Sequence, residues 1–302
     1  MSDARRHLLL VLGVAAAGAA LRFRGLDWGL PWALHIDERL FVVAKAIRLE
    51  RLLEGGGVPD PGISSYGILP LWLLVAARKL FLGIATAPGP PVHGDDFAGT
   101  VLLARWISAL WGTATIVLVA LWARRWGAGT AVLAAALIAG FPALVQASHF
   151  GTVEAPLVAL LVAGMLTAER LAERPGILRA AAAGAVLGMA VSVKAPGAVL
   201  ALPMLHAAWL GGGPSGAADP ARGRRVVVLL AAAVVLAIAL NPGLLGGGGG
   251  GPEQGEHTTL GGNLRRAYSS DFHDWTLPYA HGVPGWTELT RLLPYAVGVV
   301  PE

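Results

Sequence analysis

The sequence predicts an all-α protein, a polytopic transmembrane helical bundle of about 7–8 membrane helices with large outward loops. Three observations carry this. Charged residues make up only 14% of the chain, against about a quarter in a soluble domain. The apolar residues, 55% of the total, are gathered in long blocks. The arginines sit in short clusters between those blocks.

The first block, His7–Leu21, follows Arg5 and Arg6 and reads as a first crossing. A cleavable signal peptide is the competing reading, because basic start and apolar centre fit one. Further crossings follow in either case. Tyr66–Ala85 contains Pro70, Arg78 and Lys79, so it is expected to lie at the interface or re-enter rather than span. Gly99–Trp122, Gly129–Ala147, Ala155–Ala168, Ala180–Val193, Ala195–Gly211 and Val226–Leu240 come next. Several fall short of the ~20 residues that cross a hydrocarbon core upright, so flanking residues must extend them. Their Ala and Gly content lets helices approach closely. Gly211–Gly216 opens a flexible linker, and Gly246–Gly251 is a loose loop. No Lys-Ser/Thr follows that glycine run, which excludes a phosphate-binding P-loop. Another apolar block begins at Leu292.

The basic clusters set the orientation. They are Arg5/Arg6, Arg124/Arg125, Arg170–Arg174–Arg179 and Arg222/Arg224/Arg225. If all are cytoplasmic, an even number of crossings separates successive clusters. That holds if Tyr66–Ala85 does not span. The outward segments are then residues 23–98, Ser148–Glu154 and 241–291, with Lys194 at a fourth outward turn.

Cysteine is absent, which excludes a disulfide framework, a thiol nucleophile and a Cys-based metal site. The net charge of +4 bears on membrane orientation. The expected partners include membrane lipid and no nucleic acid.

Nearly every group able to do chemistry falls on the outward side. His35-Ile36-Asp37-Glu38 follows the first crossing. One carboxylate there can act as a general base or bind a cation. Alternatively, both acids favour the start of the helix expected over Arg39–Glu54. Glu154, within Ser148-His149-Phe150-Gly151-Thr152-Val153-Glu154, interrupts an apolar region. It is either a functional acid or a helix-start carboxylate ahead of Pro156. Arg105 and Lys194 are cations that can stabilise a departing phosphate or snorkel to headgroups. His257, His273, His281, Trp275 and Trp286 lie in the third outward segment. The aromatics there suit an interfacial belt or a sugar-stacking surface. The histidines lack metal-ligand spacing.

In this order, the motifs resemble the GT-C glycosyltransferases, specifically the protein O-mannosyltransferase-like branch that includes bacterial aminoarabinose transferases. The acidic pair Asp37-Glu38 is similar to that family's Asp-Glu signature. Arg22-Phe23-Arg24-Gly25-Leu26 and Gly29-Leu30-Pro31 resemble its lead-in. Arg105 through Thr113 with Arg124-Arg125, the Ser148–Glu154 stretch, Val193-Lys194-Ala195-Pro196-Gly197 and Asn241-Pro242 also have counterparts. Many relatives carry a lysine shortly before the second apolar stretch, where Gly62-Ile63-Ser64-Ser65-Tyr66-Gly67 has none.

The resemblance implies an inverting transfer of a sugar from a polyprenyl-phosphate donor to a protein, lipid or glycan hydroxyl. It implies Asp37 as general base, with Glu38 in support and Glu154 as second acid. His35, Arg105, His149 and Lys194 would bind substrate, Arg105 and Lys194 facing the lipid phosphate. A divalent cation stays open as cofactor. The whole chain, 1–302, then reads as a GT-C-like catalytic module continuing beyond its last residue, in the cell membrane with its site on the non-cytoplasmic face. A transporter or flippase of a lipid-linked substrate and an inactive truncated subunit are the competing functions.

Overall fold

The computed structural model describes residues 3–33, 35–57, 59, 61, 66–81, 95–211 and 219–244. The residues from Leu245 onward lie outside that set, and with them the histidines and tryptophans of the third outward segment. All the regular elements among the described residues are helices.

Helix α1, Asp3–Phe23, is a single apolar rod behind Arg5 and Arg6. After it, a wide π-type turn over Asp37–Val43 leads directly into α2, Ala44–Glu54. Helix α3, Leu69–Phe81, has 13 residues among those described, about 20 Å at the helical rise. The last residues of the Tyr66–Ala85 stretch, 82–85, lie outside the described residues.

Helix α4, Asp95–Ala123, is the longest at 29 residues. Then come α5 (Ala128–Gly140) and α6 (Pro142–His149), bent by 54° where they meet. The cause is local. Pro142 has no N–H to give to the Ile138 carbonyl one turn back. Arg22, fully buried at the end of α1, supplies the missing donors: Nη2 bonds the Ile138 carbonyl at 2.9 Å and Nη1 that of Ala139 at 2.9 Å.

Helices α7 (Glu154–Glu173), α8 (Ile177–Val191), α9 (Ala201–Leu210, entered through a 3-10 segment at Ala195–Leu200) and α10 (Arg222–Leu240) complete the bundle. Helices α8 and α10 touch backbone to backbone. A methyl placed on Gly184 would lie 2.1 Å from the Leu229 carbonyl oxygen. Small residues make that approach available.

Among the described residues four single helices, α1, α4, α7 and α10, are long and apolar enough to cross a membrane; the bent α5–α6 pair is a broken fifth span or a re-entrant loop. Helices α8 and α9 are apolar but shorter. The expectation of about 7–8 full crossings is therefore met only by counting these two short helices. The blocks were read correctly, but a contiguous apolar run does not reveal where a turn of 3-10 helix or a break shortens it.

The direction of each helix follows from its end contacts. Arg125 at the end of α4 pairs with Glu169 near the end of α7. Ser108 on α4 bonds the Thr152 carbonyl just before α7 at 3.3 Å. These two helices therefore run parallel. Arg225 at the start of α10 bonds the Ala208 carbonyl near the end of α9 at 2.9 Å. A methyl on Gly18 would meet Ile116 and one on Gly112 would meet Arg22, so α1 runs antiparallel to α4 and brings Arg5 and Arg6 to the end where Arg124 and Arg125 lie; the four arginine clusters thus gather at one end of the bundle. The acidic motifs gather at the other.

Candidate active site

The two neighbouring acids of the first motif have different environments. Neither caps a helix by hydrogen bond: Ile36, the cap position, has helical backbone and no side-chain cap. Glu38 is fully buried. It accepts Arg105 Nε on Oε1 and Arg105 Nη2 on Oε2, both at 2.8 Å. The Gly151 N–H adds a third bond to Oε1 at 2.7 Å. Arg105 is fully buried as well. Its Nη1 donates to the carbonyls of Leu26 and Trp28, each at 2.7 Å, and the Trp28 ring lies 5.5 Å from its guanidinium carbon. This forked pair ties the start of the chain's first loop to α4 and to the segment ahead of α7.

For Arg105 to face a lipid phosphate this pairing would have to open, and any support Glu38 gives the base acts through it. Both groups are sealed and saturated by the fold. Sequence reasoning registered two ionisable residues at a membrane rim but had no means of seeing that they satisfy each other.

Asp37 is half-buried, and its Oδ2 accepts the Tyr66 hydroxyl at 3.1 Å. Among the described residues the carboxylate has no other hydrogen bond. Tyr66 also meets the third motif: Lys194 Nζ lies 5.0 Å from the centre of its ring. Lys194 in turn pairs with Glu154 Oε1 at 3.1 Å, both side chains partly open to solvent. Asp37, Tyr66, Lys194 and Glu154 thus form one line of contacts contributed by the first loop, the turn after α8 and the start of α7. Burial is the largest influence on the Tyr66 phenol, and the charges of Asp37 and Glu154 add to it. Its pKa stands above the ordinary tyrosine value, so it stays a donor.

Backbone contacts hold this line in place. Tyr66 and Lys194 form an antiparallel bridge. The Gly67 N–H donates to the Val193 carbonyl and the Leu69 N–H to that of Ser192, both at 3.0 Å. Asn241, 8% exposed, clips both strands: its Oδ1 accepts the Ile68 N–H at 2.9 Å and its Nδ2 donates to Ser192 Oγ at 2.8 Å. Gly67 permits the approach, because a methyl there would lie 2.0 Å from the Ser192 carbonyl oxygen.

The two histidines lie to one side. His149 bridges the Val145 carbonyl (2.8 Å) and the Arg24 carbonyl (3.1 Å) through its two ring nitrogens. His35 packs against Phe150 with ring centres 4.4 Å apart and the rings tilted by 41°, and among the described residues its buried Nδ1 has no hydrogen-bond partner. Among the described residues no three His, Asp or Glu side chains stand close enough to hold a metal ion. Between α3, α4 and the segment ahead of α7 lies a narrow gap of about 10 Å³. Its walls are mostly apolar and include Leu74, Ile107, Trp111 and Pro156.

Tyr66 and Asn241 were the residues that reading the sequence missed as members of the site. Tyr66 marked only the start of an apolar stretch, and Asn241 only a motif. Their partners lie far away in the chain, and no local pattern announces them.

The family model described as dolichyl-phosphate-mannose-protein mannosyltransferase matches residues 97–242, from the start of α4 to just past α10. Among solved structures, the S. cerevisiae protein O-mannosyltransferase Pmt1-Pmt2 complex bound to the sugar donor aligns with a TM-score of 0.55 at 22% identity. The alignment covers 80% of this chain and 33% of that one. At that identity the likeness speaks for the fold, and this chain spans about a third of the matched chain's length. No curated protein matches the sequence. Over residues 97–242, just under half of its length, the chain is thus similar to the dolichyl-phosphate-mannose-protein mannosyltransferase family, and it shares the helical fold of the matched structure.

Proposed function

We propose that this protein is a membrane glycosyltransferase that moves a sugar from a polyprenyl-phosphate donor to an acceptor hydroxyl with inversion, at the non-cytoplasmic face of the cell membrane. Asp37 is the general base. The observation that carries this reading is the convergence of Asp37, Lys194 and Glu154, from three separate segments, at the end of the bundle opposite the arginine clusters.

The chemistry follows from the groups. Asp37 Oδ2 is held by the Tyr66 hydroxyl, which leaves Oδ1 to take the proton of an incoming hydroxyl. The acceptor oxygen then attacks the anomeric carbon while the bond from that carbon to the phosphate oxygen breaks. The electron pair leaves with the polyprenyl phosphate. Lys194 stands where it can meet the charge that grows on that phosphate, and Glu154 keeps the ammonium oriented until it does. The sugar is taken as mannose, because the matching family model and the matching structure are both of mannosyltransferases.

Asp37→Asn tests the reading. The carboxamide is the same size and still accepts the Tyr66 hydroxyl, but it cannot serve as a base. Transfer from polyprenyl-phosphate mannose is expected to fall at least 100-fold, the scale of a lost general base, with membrane insertion intact. Full activity in that variant removes Asp37 from the mechanism.

A further inference from the structure

We infer that Tyr66 is a positioning residue for the transfer reaction, holding the Asp37 carboxylate in its working orientation and linking it to the Lys194–Glu154 pair. The inference rests on the reading of Asp37 as general base. Tyr66 itself touches neither donor nor acceptor in this scheme.

Tyr66 is well built for the task. Its backbone is bridged to Lys194 and flanked by the two hydrogen bonds from Gly67 and Leu69. Two positions on, Ile68 is clipped by Asn241. The Trp72 indole N–H, one turn into α3, donates to the Leu240 carbonyl at 2.9 Å. The segment carrying the phenol is therefore anchored to the turn after α8 and to the end of α10. Asp37, by contrast, starts a wide π-type turn, and its carboxylate has no other hydrogen bond among the described residues. A rotatable carboxylate next to a fixed donor takes its orientation from the donor. The ring adds a second service: its face lies under Lys194, which keeps the ammonium beside Glu154 through a cation–π contact. The phenol's raised pKa agrees with a hydroxyl that remains protonated beside two carboxylates.

The test is Tyr66→Phe in the full chain, with polyprenyl-phosphate mannose as the probe. Phenylalanine keeps the ring, and with it the packing and the cation–π contact, and loses only the hydroxyl. The expected result is a kcat lowered roughly 10-fold, the factor that one charge-assisted hydrogen bond represents. KM for the donor and the melting temperature stay unchanged. In the Asp37→Asn background the same substitution has no further effect. A merely structural role lowers the melting temperature and disturbs KM along with kcat, and that outcome overturns the inference. Wild-type kcat in Tyr66→Phe with an inactive Asp37→Asn also overturns it, while leaving the base reading intact. Full activity in Asp37→Asn sinks the base reading first and this inference with it. A readout without turnover is the infrared carboxylate stretch of Asp37, assigned by its absence in Asp37→Asn. It shifts in Tyr66→Phe if the phenol holds the group, and an unmoved band overturns the inference.

Discussion

Replacing Arg105 by alanine separates a fold-holding arginine from a phosphate-binding one. In the wild type, Arg105 and Glu38 are both fully buried and joined by two hydrogen bonds of 2.8 Å. Without the guanidinium, Glu38 keeps only the Gly151 N–H, and the Leu26 and Trp28 carbonyls lose the donor they share. Removing one partner of a buried pair costs about 3–5 kcal/mol, because the other charge is left uncompensated. Set against a total stability on the order of 5–15 kcal/mol, that is a large fraction. It corresponds to a fall in melting temperature on the order of 10 °C.

The assay is thermal unfolding of the detergent-solubilised protein, read as the fraction recovered at its native elution volume after heating. Arg105→Ala should melt well below wild type. Glu38→Gln with Arg105→Met should recover much of the loss, since removing both charges spares the core an unpaired ion. Arg105→Lys should fall between, because an ammonium cannot reproduce the fork. The reasoning is refuted if Arg105→Ala melts with wild type and loses only affinity for the lipid-phosphate donor. The guanidinium would then be meeting the donor phosphate and not holding the fold.

Two further outcomes bear on the supports of the site. Gly67→Ala pushes a methyl against the Ser192 carbonyl, so the Tyr66–Lys194 bridge should open at a cost of about 1–3 kcal/mol; an unchanged melting temperature would contradict the close approach. Arg22→Met strips the guanidinium donors from the Ile138 and Ala139 carbonyls, leaving Ile138 only a long bond from the Phe141 N–H, at a cost of about 1–3 kcal/mol. Adding Pro142→Ala should return part of that loss by restoring an N–H near Ile138, and the same melting assay reads both.

The apolar blocks were legible because hydropathy is local. Val226–Leu240 and the observed α10, Arg222–Leu240, share their C-terminal end. The arginine clusters were legible as a set, since each sits at a helix end and all four lie at the same end of the bundle. The identity of the candidate acids was legible too. Their pairing was not. Arg105 and Glu38 are 67 positions apart, and Ile68 and Asn241 are 173 apart. A sequence shows that a charge at a membrane rim needs a partner, but several cations were available for each carboxylate. The choice is made by helix packing, which has no signature in any one segment. For the same reason Tyr66 read as the start of an apolar stretch, whereas packing makes it the joint between two motifs.

The adjacent acids at 37 and 38 have a simple geometric logic. Consecutive residues of a helical turn point in different directions, and here the two acids have different environments. Glu38 faces α4 and is consumed by Arg105 and Gly151. Asp37 then necessarily faces away from that contact, toward Tyr66. Neutralising the inner acid has an effect on the outer one. Two bare carboxylates side by side would repel each other and resist a common orientation. With Glu38 paired, Asp37 is the sole unpaired carboxylate of the two, on a backbone anchored by its neighbour. The wide turn over Asp37–Val43 changes the angular step that follows, a distortion often found at functional positions. Under this logic the first acid depends on the second for its place and not for its chemistry. Loss of Glu38 should therefore disturb the fold before it disturbs proton transfer.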